Sequence, residues 1–300
     1  MLLFKFFPLL LGLATALYLA ACLLLYFRQT RMIFFPSTVI ETTPVDFEMP
    51  YEEVWLPIEQ QGRTERIHGW WMPARGQAMG VVLYLHGNGI NIGANVEQAN
   101  RFHQLDLAVF LFDYRGYGRS EGGFPNEQQV YQDAETAWRY LVQTRQIPPQ
   151  RIVIYGHSLG GAVAINLASQ HPDAAGLIVQ SSFSSIRQMI DYQTPRSIFP
   201  TDLLLTQRFD SLAKVPSLQM PVLYIHGQAD AQVPAFMSEA LYAATPDPKQ
   251  IYLVPQAGHN NVGEIAGPEY LDVVRAFVQK SVEQKVLSFE LQGEGVGLTQ

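Results

Sequence analysis

Tyr155-Gly156-His157-Ser158-Leu159-Gly160-Gly161, preceded by Arg151-Ile152-Val153-Ile154, is the stretch that decides the fold. A short β-branched run ends in Gly-x-Ser-x-Gly, and small residues of helical character follow over 162–169. That order predicts a strand, a sharp turn and a helix, a nucleophile elbow with Ser158 at its tip. The turn forces strained dihedrals on the serine and brings backbone together on both sides, so Gly156 and Gly160 stand where a Cβ would clash. Five residues alone carry no chemistry. A base, an acid and oxyanion donors must come from elsewhere in a compatible order.

Upstream, Val81-Val82-Leu83-Tyr84-Leu85 is an unbroken apolar run, the pattern of a strand buried on both faces. It ends in His86-Gly87-Asn88-Gly89, a glycine-rich turn whose backbone N–H groups can point at a developing oxyanion, with Asn88 the expected donor. A phosphate cradle is the other structure such glycines make, and the lack of Gly-Lys-Ser/Thr and of Gly-x-Gly-x-x-Gly argues against it. His86 is expected to brace the loop. Residues 91–105 predict a helix and 107–112 another buried strand. The turn Asp113-Tyr114-Arg115-Gly116-Tyr117-Gly118-Arg119-Ser120 is expected to be held by an acidic and basic pair. From Asn126, which forms a capping pair with Gln129, the positions Val130, Ala134, Ala137, Trp138 and Leu141 fall at helical spacing, so Trp138 belongs to the core. Earlier still, 53–57 and 66–72 predict an antiparallel hairpin, in which His68 has a structural role. Strand and helix alternate from residue 81 to the elbow, the signature of a parallel sheet.

Downstream, 176–180 predicts a strand, but residues 184–215 break the alternation with Pro195, Pro200 and apolar positions such as Met189, Ile198, Phe199 and Leu203. A short lid of one or two helices is expected there, its apolar character suited to an acyl substrate. The alternation resumes with Pro221-Val222-Leu223-Tyr224-Ile225-His226-Gly227, then Asp230; a strand at 250–254 precedes Ala257-Gly258-His259-Asn260 and a helix at 269–283. The order Ser158, Asp230, His259 is the one this elbow requires, and parallel strands bring such loop residues into one crevice. Asp202 and Asp210 are the competing acids. Residues 285–300 form the C-terminal tail, of which 287–300 is weakly patterned and expected to be loosely held.

Composition narrows the partners. Three hundred residues, 48% hydrophobic and 16% charged, suffice for one large core. A net charge of −7 without a basic cluster excludes a nucleic-acid partner. Cys22 is the single cysteine, so no internal disulfide or Cys-x-x-Cys site exists, and no cofactor or metal is implied.

Residues 6–27 carry no charge, and 22 residues make about 33 Å of helix, enough for a bilayer core. Lys5 precedes the run and Arg28 and Arg31 follow it, so a single membrane span is expected, with residues 1–29 as the anchor. A second interpretation takes Leu19-Ala20-Ala21-Cys22 as a lipoprotein cleavage box with lipid on Cys22; against it, the apolar run continues through Leu23-Leu24-Leu25-Tyr26-Phe27. The apolar knot Met32-Ile33-Phe34-Phe35-Pro36 is expected to pack on the domain, with an interfacial lipid contact as the alternative.

With these motifs assembled, residues 30–280 resemble the α/β-hydrolase superfamily and, within it, the membrane-anchored ABHD-type serine hydrolases. The resemblance rests on the His86 turn, the Asp113 to Gly118 turn, the Ser158 elbow, His226-Gly227-x-x-Asp230-x-x-Val233-Pro234 and Gly258-His259. It implies an α/β-hydrolase fold: a mostly parallel eight-stranded sheet flanked by helices, over residues 30–284, with a lid at 184–215 and an N-terminal transmembrane helix. It further implies hydrolysis of ester or thioester bonds in acyl or lipid substrates, an acylated protein among them. His259 would be the base, Asp230 its orienting acid, and the N–H groups of Leu159 and Asn88 the oxyanion hole. Distant relatives cleave peptides, so a serine peptidase or aminopeptidase is the alternative, with a non-catalytic scaffold beyond it. A dehalogenase or epoxide hydrolase attacks with a carboxylate, which Ser158 argues against.

Overall fold

The computed structural model describes residues 2–60 and 62–295, with side chains over residues 6–59 and 62–288. Eight strands form one sheet: β1 (Glu52–Gln60), β2 (Arg63–Met72), β3 (Gly80–Leu85), β4 (Leu107–Phe112), β5 (Ile152–His157), β6 (Gly176–Gln180), β7 (Val222–Gly227) and β8 (Lys249–Val254). Their order across the sheet is β1-β2-β4-β3-β5-β6-β7-β8. The β1–β2 and β2–β4 pairs are antiparallel and every other pair is parallel. The hairpin and the alternation thus form the predicted sheet, and the carboxyl ends of β3, β5, β7 and β8 share one edge.

The buried strands feed two cores because successive side chains point to opposite faces. Leu83, Phe110, Ile154 and Leu177 pack on one face with helices α3 (Glu127–Arg139) and α4 (Leu159–Gln170), through Ala134, Trp138 and Val163. Tyr84, Val109, Tyr155 and Ile178 pack on the other with α2 (Val96–His103) and α10 (Pro268–Gly295), through Phe102, Tyr270, Val274 and Val278. Trp138 is 3% exposed, a core residue as its spacing demands. Asn126 caps α3 by accepting from Gln129 N at 3.0 Å, and its amide donates back to Gln129 Oε1 at 2.8 Å.

Both terminal helices run further than the sequence pattern suggests. Helix α1 (Leu2–Ile33) continues six residues past position 27, because neither glycine nor proline interrupts residues 28–33 and its last turns gain tertiary partners. Helix α10 continues to Gly295, with Lys285 Nζ donating to Pro172 O at 2.7 Å. The stretch expected to be loosely held is therefore helical over residues 287–295, and residues 296–300 lie outside the described residues. Phe34 is buried and meets the Phe209 ring at 6.1 Å, so this member of the apolar knot packs on the domain, while Met32 and Phe35 are exposed. Phe35 and Pro36 pair with Gly89 and Ile90 in a two-residue parallel ladder, which ties the end of α1 to the glycine-rich turn after β3.

Residues 184–215 form three short helices, α5 (Ile186–Gln193), α6 (Thr201–Leu204) and α7 (Ser211–Lys214). The segment is clamped at its far end by Glu127, whose carboxylate accepts from Arg208 N at 2.6 Å and Phe209 N at 2.8 Å. Helix α8 (Phe236–Ala244) then links β7 to β8, and α9 (Val262–Ala266) precedes α10.

Candidate active site

Between β5 and α4, Ser158 adopts φ 54° and ψ −121°, a conformation that a non-glycine residue holds only when its surroundings impose it. Those surroundings are tight. A Cβ on Gly156 would stand 2.2 Å from Gly160 O, and one on Gly160 would stand 2.0 Å from Leu85 O. The turn is pinned further by Ser158 N donating to Gln180 O at 2.9 Å and Ser182 Oγ donating to Ser158 O at 2.8 Å. Gly161 has the same close-approach role, since a Cβ there would meet Ser182 Cβ at 2.5 Å. The Gly160-Gly161 doublet signals this, but only the spatial neighbour Ser182 explains it.

Ser158 Oγ lies 2.9 Å from His259 Nε2, and His259 Nδ1 lies 2.7 Å from Asp230 Oδ2. These three residues are 7–8% exposed, so their hydrogen bonds are shielded from competing water. Burial acts to raise the Asp230 pKa, but hydrogen bonds from His226, His259 and Val233 N outweigh it and hold the carboxyl well below the usual range. An ionised Asp230 fixes the proton on His259 Nδ1 and leaves Nε2 free to accept from Ser158. Asp202 and Asp210 are elsewhere: Asp202 pairs with Arg187 on the exposed lid, and Asp210 accepts from Ala213 N at 3.2 Å to cap α7.

Two histidines around this relay have roles that sequence spacing did not assign. His226 Nε2 sits 3.2 Å from Asp230 Oδ2 and 2.9 Å from Val233 O, both acceptors, so Nε2 carries the proton and Nδ1 accepts from Ser238 Oγ at 2.6 Å. Its four-residue offset from Asp230 was the available signal. His157 Nε2 donates to His259 O at 3.1 Å, holding the His259 backbone, and burial with His259 nearby pushes its pKa down to about 4.

The opposite wall is the turn after β3. Asn88 O accepts from Phe35 N at 2.9 Å and from Tyr117 Oη at 2.7 Å, while Asn88 Nδ2 donates to Ile33 O at 2.7 Å. These bonds hold Asn88, which lines the same cavity as Ser158. Leu159 begins α4, so its N–H has no acceptor within the helix. The turn is supported by His86, whose Nδ1 donates to Gly87 O at 2.7 Å and whose pKa burial pushes down to about 4. Tyr114 Oη donates to His86 O at 3.1 Å. The expected acid–base brace in residues 113–120 takes another form, because the chain turns between the two side chains. Asp113 accepts from Ile92 N at 2.8 Å and lies 3.5 Å from His86, whereas Arg115 pairs with Asp133 of α3 at 2.7 Å.

Ser158, His259 and Asn88 open into a cavity of ≈ 1200 Å³. Ile186, Met189 and Leu204 of the lid segment line it, as do Leu25, Met32 and Ile33 of α1. The participation of α1 was not legible in the sequence, where the helix and the elbow are more than a hundred residues apart. Among the described residues, no group of three or more His, Cys, Asp or Glu side chains converges to hold a metal.

The chain is similar to known proteins in sequence and in fold. Residues 76–212 match the family described as serine aminopeptidase, S33. The chain is 36% identical over 260 residues to an uncharacterised protein of Mycobacterium tuberculosis, covering 85% of this chain and 88% of that one. Protein bem46 of Schizosaccharomyces pombe is 31% identical over 270 residues, covering 86% and 88%. An esterase of Pyrococcus furiosus superposes with a TM-score of 0.69 at 19% identity, covering 83% of this chain and 98% of its own, a likeness of fold. Sheet order, elbow and these relatives lead to one conclusion: the chain belongs to the α/β-hydrolase superfamily.

Proposed function

We propose that this hydrolase is a membrane-anchored serine hydrolase that cleaves carboxylic ester or thioester bonds of acyl, lipid-like substrates. The observation that carries the proposal is the relay Ser158–His259–Asp230, at 2.9 and 2.7 Å, on the floor of an apolar cavity. His259 Nε2 takes the Ser158 proton as Oγ attacks the carbonyl carbon; Asp230 stabilises the imidazolium; the N–H groups of Leu159 and Asn88 hold the oxyanion. Collapse expels the alcohol or thiol, which receives the proton from His259. Water, activated by the same histidine, then releases the acid and restores Ser158.

The lining supports this activity over aminopeptidase action. An aminopeptidase must pair the substrate's α-ammonium with an acceptor, best a carboxylate. No Asp or Glu is among the residues that line the cavity, and its charged member is Arg196. An acyl chain suits that lining; an amino terminus does not. An acylated protein remains within the same chemistry as a substrate.

The anchor is the one stretch among the described residues long and apolar enough to cross a membrane, Phe6–Ile33. Retention of the whole helix, rather than cleavage before Cys22, is supported by contacts on both sides of that position. Tyr18 Oη donates to Ile198 O at 2.9 Å, and Cys22 itself is buried. On this reading residues 1–29 are the N-terminal anchor segment, 30–284 the hydrolase domain with its lid at 184–215, and 285–300 the C-terminal tail.

Fluorophosphonate labelling of the full chain, with p-nitrophenyl esters, an acyl thioester and an aminoacyl amide as substrates, tests the assignment. The wild type is expected to label and to hydrolyse the esters and the thioester. Ser158→Ala is expected to lose both properties while keeping its fold; labelling or turnover near the wild-type level in that variant refutes the nucleophile.

A further inference from the structure

Helix α1 does more than precede the domain; it docks along the lid. Tyr18 stacks on Phe199 with ring centroids 5.8 Å apart and planes 7° from parallel, and its hydroxyl donates to Ile198 O at 2.9 Å. About three turns later, Gln29 closes a second clasp. Its amide donates to Leu204 O at 3.2 Å, and its carbonyl accepts from Thr206 N at 2.8 Å and Gln207 N at 3.1 Å. Between the clasps Leu25 faces the cavity that holds Ser158. The lid carbonyl and N–H groups nearest the helix are thus satisfied by the helix, as backbone beside hydrocarbon must be.

The seam between α1 and the lid begins inside the apolar part of the helix. Tyr18 lies ten residues before Arg28, about 15 Å along the axis. Outside the seam the surface is apolar on both partners: Leu24 is 59% exposed on the helix, and Ile198 and Leu203 are 75% and 82% exposed on the lid. On the lid Arg187 is closed by Asp191 and Asp202, and Arg196 lines the cavity. Exposed apolar side chains that continue a spanning helix belong against lipid tails. At ≈ 1200 Å³ the cavity also exceeds the usual range for small-molecule sites, about 300–1,000 Å³.

We infer that α1 is one wall of the acyl-binding cavity and that the substrate is a long-chain acyl ester or thioester drawn laterally from the bilayer through the seam between α1 and the lid. This inference rests on the serine hydrolase assignment above. The tether and the specificity site are then one helix. A chain already dissolved in the leaflet slides past Leu25 toward Ser158 without crossing water, whereas a short soluble ester reaches the serine from the aqueous side and does not need the seam.

The test uses the full chain in phosphatidylcholine vesicles, with 4-methylumbelliferyl oleate held in the bilayer and p-nitrophenyl acetate in solution. Leu203→Lys places a charge on the lid's outer face, outside the cavity. It is expected to lower kcat/KM for the oleate ester at least tenfold while acetate hydrolysis stays within twofold. Leu25→Trp narrows the wall and is expected to lower the oleate-to-acetate ratio at least tenfold, in detergent micelles as well as in vesicles. A ratio unchanged from wild type in either variant overturns the inference. Failure of the underlying assignment looks different: the wild type then hydrolyses neither ester and takes no fluorophosphonate label.

Discussion

Replacing Asp230 by asparagine changes one atom, and the surroundings dictate which way the new amide faces. Asp230 Oδ1 accepts from Gln232 N and from Val233 N, both at 2.9 Å. An amide nitrogen at that position would oppose two N–H donors, so the asparagine oxygen stays there and the –NH₂ turns toward His259 Nδ1, 2.7 Å away in the wild type. Facing a donor, Nδ1 becomes the acceptor, and the proton moves to Nε2, which points at Ser158 Oγ from 2.9 Å. The base then arrives already protonated. In serine–histidine–aspartate sites this tautomer change lowers kcat by about 10⁴-fold, about 5 kcal/mol of transition-state stabilisation. The expected result for Asp230→Asn is that loss in p-nitrophenyl ester turnover at pH 8, with unchanged circular dichroism and a residual rate that rises with hydroxide concentration. His226 loses an acceptor in Asp230 but keeps Val233 O at 2.9 Å, so its own position holds. A fall in kcat of less than tenfold refutes the reasoning, since no other carboxylate reaches His259 among the described residues.

Two further perturbations probe what surrounds the relay. His157 is held neutral, its pKa pushed down to about 4. An unfolded imidazole titrates near about 6.5, so unfolding takes up a proton between those values and stability falls as the pH drops through that window. Its neighbours His259, Asp230 and His226 are common to wild type and variant. Relative to His157→Asn, which binds no proton there, the wild type is expected to lose about 1.4 kcal/mol per pH unit across the window; urea midpoints at pH 7, 5.5 and 4.5 give the difference, and a constant difference contradicts the assignment. Gln29→Leu removes the acceptor of Thr206 N and Gln207 N and the donor to Leu204 O. Each N–H left without a partner costs about 1–3 kcal/mol, so amide exchange at residues 206 and 207 is expected to accelerate at least tenfold with the sheet amides unchanged; equal exchange in both proteins shows that the clasp does not hold the lid.

Much of the fold is carried by local pattern. Unbroken apolar runs such as Val81 to Leu85 and Leu107 to Phe112 announce strands buried on both faces, and the helical spacing of Val130, Ala134 and Trp138 puts one flank of α3 in the core. Gly156 and Gly160 announce the elbow because only glycine tolerates backbone at about 2 Å from an added Cβ. Candidate members of the site are legible in the same way, each placed by its strand's carboxyl end. What each of them touches is not: the pairing of His226 with Asp230, of His157 with His259 O and of Asp113 with the turn after β3 joins side chains through space.

The sequence by itself determined a parallel sheet, an elbow serine and an apolar helix at the N-terminus, because periodicity, turn chemistry and length are properties of neighbouring residues. Only the tertiary structure decided that this helix runs on to Ile33, clasps residues 198–207 through Tyr18 and Gln29, and lines the cavity above Ser158. The physical reason lies in distance along the chain. A helix is stabilised by bonds four residues apart and can be foreseen from them, but a cavity wall exists only when segments more than a hundred residues apart exclude water from the same volume.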